Sequence, residues 1–542
     1  MEKIFYNGTI ITMDEKNKEV EAVYVKEGKI AQLGTFEEVN KLKNDQTEMI
    51  DLEGNVMFPG FIEPHIHLDL AAIIDRANYI GGIKYAKTED VLNEIKRVIA
   101  ETPKGEWIFF FGLDYLINRD LPKMDRKYLD QLTKDHPLFI IIQSMHTTYA
   151  NSLALSELNF SKDTKDTRDG HCFKDENGEP TGVLTEQTFA LMFLSKWMQS
   201  INEPMDTYFL NKAKQLAAVG ITTCWTAGMM PLIENHNQFV CDIINKDDCP
   251  IRHDYAITYP NFLSGAESLD RLIPNHPKSK FTGIKFWFDG SPYTGNMKMF
   301  DNYLENEIMQ DRLYVPKNQN GEFLFEQEKM YELIKEYHNK GIQISVHSQG
   351  DYAGKVIVDI FERVLNEFPR ADHRHRLEHC AFLSEEDTKR CAKLGIQLSY
   401  HVNHLYYYGE ALNDLVVGED RTKIAVNCRW ALDNGVNFSL HTDDPMYSAN
   451  PLRLVCTAST RRSRAGKVFG QEYTIPVHEA LKGITINAAF QLNREKEIGS
   501  IEIGKFADFT VIQENPYKVD PLKIGDIKVI KTYLDGNETN IK

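Results

Sequence analysis

Apolar and polar positions follow two rhythms along this chain. Residues 3 to 57 alternate in short runs, KIFYNGTIITM, EAVYVKEGKIAQLG and TEMIDLEGNVMF, punctuated by Asn7-Gly8 and Glu27-Gly28. A period of two broken by such dipeptides predicts short β-strands joined by tight turns. ADFTVIQENP and IKVIKTYLDGNE, near the other end, repeat that texture. Each terminal stretch is too short to bury a core of its own, so the two are expected to pair into one small β-sandwich, from residues 1–57 and 491–542.

Between them, β-branched or aromatic runs alternate with longer amphipathic stretches, the pattern of parallel βα units. Eight runs qualify as strands: GFIEPHIHL, GITTCWTA (220–227), IRHDYAIT (251–258), GIKFWFDG (283–290), IQISVHS (342–348), HRLEHCA (375–381), IQLSYHV (396–402) and VNFSLHTDD (436–444). They predict an α/β fold of the (β/α)8 TIM-barrel type over residues 58–490. Roughly 150 residues separate the first run from the second, too many for one crossover. This gap holds its own strand-like runs, WIFFFG and PLFIIIQS, which predicts a subdomain inserted after strand one at 72–205.

Composition narrows the class. At 542 residues, 42% hydrophobic and 26% charged, the chain reads as an ordinary soluble globular protein. A net charge of −17 argues against a nucleic-acid partner. No leader-like segment and no apolar window of about 18 residues is visible, so no membrane partner and a cytoplasmic location are expected. The eight cysteines are scattered without a C-x-x-C pair, which reads as free thiols.

The chemistry gathers at strand ends, where barrel enzymes place their sites. On a strand, His65 and His67 project from one face and can share a cation. In GIKFWFDG, Lys285, Trp287 and Asp289 share the face opposite Ile284, Phe286 and Phe288, which points a lysine into the barrel. An unpaired buried lysine is costly. Either it pairs with a carboxylate such as Asp289, or its amine has taken up carbon dioxide to become an anionic, N6-carboxylated ligand. His347, His379 and Asp443 close strands five, six and eight. Such imidazole, carboxylate and carbamate donors point to two divalent ions, zinc first, with manganese, iron or nickel as alternatives. Carboxylated Lys285 would bridge one ion on His65, His67 and Asp443 and another on His347 and His379.

With these ligands in this order, the sequence resembles the amidohydrolase superfamily, and within it the YtcJ-like branch, amidohydrolase family 3. The resemblance runs through PGFIEPHIHL, WIFFFGLDY, HTTYANSLAL, NGEPTGVLTE, VGITTCWTAG, GIKFWFDGS, SVHSQGD, HRLEHCA, HTDDPMYSANPL with TRRSRAG, ITINAAFQL and GSIEIGKFADFTVI. It implies a barrel plus a terminal β-sandwich and hydrolysis of C–N bonds in a small-molecule substrate. Two cations would lower the pKa of a bridging water toward neutrality, and one would polarise the substrate carbonyl. Asp443 would take the proton and deliver it to the leaving amine, and His146, in HTTYANSLAL, would hydrogen-bond the carbonyl. Glu378 alternates to the face opposite His379 and reads as structural. Trp225, Trp287 and Tyr293 are candidates for the pocket wall. Two departures from the family pattern, His441 before Thr442-Asp443 and Ser348-Gln349 after His347, bear on the substrate. The alternatives are a mononuclear deaminase, which does not need Lys285, and a regulatory protein that keeps the fold without turnover. A homodimer is left open.

Overall fold

A computed structural model describes residues 2–167, 170–201, 203–230, 233, 235–259 and 275–539. Its centre is an eight-stranded parallel sheet whose spatial order follows the chain. The strands are β1 (Phe61–Ile66), β2 (Ile221–Met229), β3 (Arg252–Thr258), β4 (Ser279–Trp287), β5 (Gln343–Ser348), β6 (Arg376–His379), β7 (Gln397–Tyr400) and β8 (Phe438–Leu440). All eight expected runs become barrel strands. Parallel strands covered on both faces must be apolar almost throughout, which is why they read as continuous β-branched and aromatic runs. The helices return by their apolar stripes. In Asp351–Glu367, for example, Ala353, Ile357, Phe361 and Val364 recur at helical spacing and are buried.

The sheet closes between β8 and β1 just past the paired strands. Asp443 N–H donates to the carbonyl of His65 (3.3 Å), and His67 N–H to that of Asp444 (2.9 Å). The segments expected to carry ligands therefore also shut the barrel.

The chain between β1 and β2 folds round a six-stranded mixed sheet. Asn78–Tyr79, Ile108–Leu113 and Leu138–Ile142 run parallel, and Thr147–Ala150, Pro180–Thr185 and Cys172–Lys174 add antiparallel. Phe109 and Phe139 stack at 4.5 Å on this sheet, and Trp197 meets Phe109 edge-on at 5.0 Å. The termini form two further sheets. One has four strands, all N-terminal; the other has six and sets Phe509–Ile512 antiparallel beside Val56–Pro59, with Val511 opposite Met57. Phe5, Ile10, Val23, Met57, Phe509 and Tyr533 share one core between them, which neither end of the chain supplies alone. All eight cysteines are free and buried. Among the described residues, no helix is long and apolar enough to cross a membrane.

Candidate metal centre

Glu63, His65 and His67 alternate on and just beyond β1, so all three face the barrel interior. Asp443 arrives from the β8 loop with a left-handed backbone (φ 58°), a conformation that costs a non-glycine residue free energy and brings the carboxylate back over the histidines. Its Oδ1 lies 3.4 Å from His65 Nε2 and 3.4 Å from His67 Nε2. Two ligands on a tetrahedral ion with bonds of about 2.0–2.1 Å stand roughly 3.3 Å apart. The three atoms are therefore spaced as ligands of one cation.

His379 is turned inward by the same device. Backbone alternation would send it outward, but His379 (φ 71°) and Cys380 (φ 50°) are both left-handed. Its ring stands 4.6 Å from that of His65, and its Nδ1 3.8 Å from Asp443 Oδ2. This overturns the reading of Glu378 as facing away. Glu378 pairs in register with the inward-facing His347, points into the barrel and accepts a hydrogen bond from His65 Nδ1 (2.6 Å). Ser345 Oγ and Arg376 Nη2 donate to the same carboxylate at 2.7 and 3.1 Å. A carboxylate on Nδ1 fixes the His65 tautomer and leaves Nε2 with its lone pair directed at the site.

Lys285 is fully buried, and its Nζ has no hydrogen-bond partner among the described residues. Asp289 does not pair with it; that carboxylate instead accepts backbone N–H groups from Lys298, Gln349 and Gly350 at 2.9–3.0 Å and ties down the loops beside the site. Burial pulls the Lys285 amine down to about 8 and pushes the Asp443 carboxyl up to about 7, with Lys285 itself opposing the second shift. Burial likewise holds His65 and His379 well below the ordinary histidine range and His67 at about 4. The imidazoles are neutral, as ligands must be.

Of the expected ligands, then, His65, His67, His379 and Asp443 converge, with Lys285 buried beside them. His347 flanks His379, ring to ring at 4.4 Å, but its Nε2 lies 3.2 Å from the Gly290 carbonyl oxygen. His146 sits in the insertion with Nδ1 2.7 Å from Glu186 Oε2, and Asn296 holds the other Glu186 oxygen at 2.5 Å. Burial opposes a charge on His146, yet the Glu186 carboxylate prevails and raises its pKa. Trp225 lies under the site against the Arg376 guanidinium (4.3 Å), Trp287 under the Lys285 amine (5.4 Å), and Tyr293 bonds His404 at 2.6 Å.

Two histidines beside the centre had been given no ligand role. His441 stacks on His65 at 4.5 Å, holds Ser399 Oγ at 2.8 Å and lies 3.2 Å from His379 Nδ1. His401, just past β7, puts Nδ1 3.8 Å from Asp443 Oδ2. Gln397, Ser399 and His401 form a polar stripe at alternate positions of a buried run, a signal available in the sequence. A cleft of about 380 Å³ opens nearby, lined by Tyr79, Phe111, Gln143, Tyr407, Met446 and Tyr447.

The donor set answers to a metal. His65 Nε2, Lys285 Nζ and Asp443 Oδ1 are buried with no hydrogen-bond partner among the described residues. Leaving such atoms unmatched costs about 1–3 kcal/mol each, and a shared cation would satisfy them together. The fold and these residues define a class, a parallel-barrel protein with a histidine–carboxylate cluster able to hold metal at the C-terminal mouth. More narrowly, the chain belongs to the amidohydrolase family, whose model matches residues 48–539. It is 27% identical over 539 residues to an N-substituted formamide deformylase of Arthrobacter pascens, covering 98% of this chain and 96% of that one. It is also 27% identical over 569 residues to the putative amidohydrolase YtcJ of Bacillus subtilis, covering 99% of each. An uncharacterized metal-dependent hydrolase of Pyrococcus horikoshii shares the fold at a TM-score of 0.73 and 23% identity, over 96% of this chain and 99% of that one. Family membership supports a hydrolase.

Proposed function

We propose that this protein is a cytoplasmic amidohydrolase that cleaves the C–N bond of an amide, N-acyl or N-formyl group in a small molecule. The reading rests on one observation: His65, His67, His379 and Asp443 converge, with unmatched buried atoms, in a chain of the amidohydrolase family. His65, His67 and Asp443 would hold one divalent ion and His347 and His379 a second, zinc before manganese, iron or nickel, with N6-carboxylated Lys285 between them. When bound, such ions supply Lewis acidity and bring the pKa of a water toward neutrality.

The chain's own groups do the rest. Glu378 keeps the His65 Nδ1 proton, so that Nε2 remains a donor atom. Asp443 Oδ2 takes the proton lost by the attacking water and returns it to the nitrogen as the C–N bond breaks, so the products are a carboxylic acid and an amine. His146, fixed by Glu186, presents its other nitrogen to the substrate oxygen and stabilises charge developing there. The aromatic cleft receives the body of the substrate.

A panel of N-formyl, N-acyl, carbamate and cyclic-amide substrates, run with metal-replete and chelated protein, tests this. At least one is expected to be hydrolysed only with metal; no hydrolysis across the panel would overturn the reading. His347 favours a second arrangement, because its Nε2 already faces a carbonyl oxygen. A single tightly bound ion and an unmodified Lys285 would establish that one-ion form.

A further inference from the structure

We infer that Asn296 is a positioning residue for the hydrolysis: acting through Glu186, it fixes the His146 ring over the barrel mouth. His146 belongs to the inserted subdomain, so the barrel that carries the candidate ligands does not by itself decide where this ring stands. Asn296 belongs to the loop after β4. Its Nδ2 donates to Glu186 Oε1 at 2.5 Å, and His146 Nδ1 donates to Glu186 Oε2 at 2.7 Å, so one carboxylate joins barrel loop and ring. All three side chains are buried.

Three observations set this contact apart from loop packing. The amide has one orientation, since Oδ1 accepts the Ser291 N–H at 2.8 Å and the Thr294 hydroxyl at 2.7 Å. Those two bonds close the loop; Nδ2 is not needed for that, and it leaves the loop for a residue 110 positions away. A Cβ on Gly290 would stand 2.2 Å from Asn296 Oδ1 and 2.6 Å from Nδ2, and no left-handed φ calls for glycine there, so the missing side chain is what leaves the amide its place. Lastly, Met145 and Glu186 carry positive φ values of 62° and 66°, conformations that cost a non-glycine residue free energy. The strain falls where the two side chains are turned toward each other, and Glu186 N–H also donates to the His146 carbonyl at 2.8 Å.

The consequence rests on the reading of His146 as the partner of the substrate oxygen. Glu186 holds the Nδ1 proton, so Nε2 is the nitrogen left to face the substrate. A ring free to swing gives up part of its stabilisation of the charge that grows on that oxygen. Loosening it therefore lowers kcat more than it raises KM.

Metal-replete wild type and variants, assayed on the panel member that wild type hydrolyses fastest, test this. Asn296→Ala should lower kcat by about 10–100-fold, with KM within about threefold of wild type and metal content unchanged. Asn296→Ser, whose hydroxyl is too short to reach Glu186, takes its place if melting curves show the alanine variant unfolded. Thr294→Val loosens the Oδ1 side of the loop and leaves Nδ2 alone, so its kcat should stay within about threefold of wild type. His146→Leu should lose about 100-fold or more, and adding Asn296→Ala to it should cost nothing further, because Asn296 acts through that ring. Wild-type kcat in the Asn296 variant, an equal loss in Thr294→Val, or losses that add in the double variant would overturn the inference and leave the hydrolase reading in place. If His146→Leu kept full turnover, or if no panel member were hydrolysed, the reading of His146 would fall and the inference with it.

Discussion

Two sets of charged groups, buried at opposite ends of the barrel, are treated in opposite ways. At the N-terminal end, Arg252 opens β3 fully buried, and each of its guanidinium nitrogens has a partner. Asp508 accepts from Nε and Nη2 at 2.7 and 3.0 Å, Asp535 also accepts from Nη2, the Pro277 carbonyl accepts from Nη1 at 3.3 Å, and the Phe506 ring lies 4.0 Å away. At the C-terminal mouth, Lys285, His65 and Asp443 are buried with atoms that the protein leaves unmatched. Complete pairing marks a joint, here the one fastening the barrel to the C-terminal strands. Incomplete pairing in an otherwise well-packed interior marks a place built for something the chain does not supply.

The largest effect separating the two ends should come from Lys285. With Lys285→Ala, elemental analysis should show the loss of at least one ion, and turnover should fall by on the order of a thousandfold. Lys285→Arg should not rescue, since a permanently charged guanidinium cannot form a carbamate and repels cations. Normal metal content and turnover in that variant would show the residue to be an ordinary charge partner. At the other end, Arg252→Met strands Asp508 beside Asp535 with no cation between them. Denaturant unfolding should show a loss of about 3–5 kcal/mol, with metal content and activity per folded molecule unchanged. A variant as stable as wild type would erase the distinction between joint and site.

Much of this was legible in the sequence, and the failures have local causes. The barrel strands announced themselves because burial on both faces leaves little room for polar residues, and His65-Ile66-His67 did so because a strand has a period of two. Glu378 was misread because the same period was carried through His379, where the chain leaves strand geometry at φ 71°. His401 and His441 were not recognised as neighbours of His379. Their proximity is set by the register of β6, β7 and β8 and by a turn no periodicity records. The double face of Asp443 depends on contacts between β1, β6 and β7, which are remote in the chain.

Glu378→Gln probes the mouth more gently. Glutamine keeps the size but replaces a carboxylate acceptor on His65 Nδ1 with a weaker amide. The ion on the His65 side should bind about 10–100-fold more weakly, as read by competition with a chromogenic chelator, while the chelated variant melts near wild type. Unchanged affinity would mean that the 2.6 Å contact does not orient the ligand.

The smallest effect has the opposite sign. Lys285→Met removes a buried amine that lacks a hydrogen-bond partner and keeps a side chain of similar length, so metal-free protein should gain about 1 kcal/mol in stability while losing function. The pH dependence fixes the cause. Burial pulls the Lys285 amine from 10.5 down to about 8 in the folded chain. Below pH 8 the amine is charged in both folded and unfolded chains, and the folded one bears the whole cost of burying it. Between about 8 and 10.5 the folded chain has released the proton and the unfolded chain has not, so wild type recovers stability as the pH rises. The advantage of methionine should therefore be greatest at neutral pH and shrink toward pH 10.5 in chelated samples followed by denaturant unfolding. A variant less stable than wild type at neutral pH would show that Lys285, like Arg252, is held by partners already in the fold, and the contrast between the two ends of the barrel would not stand.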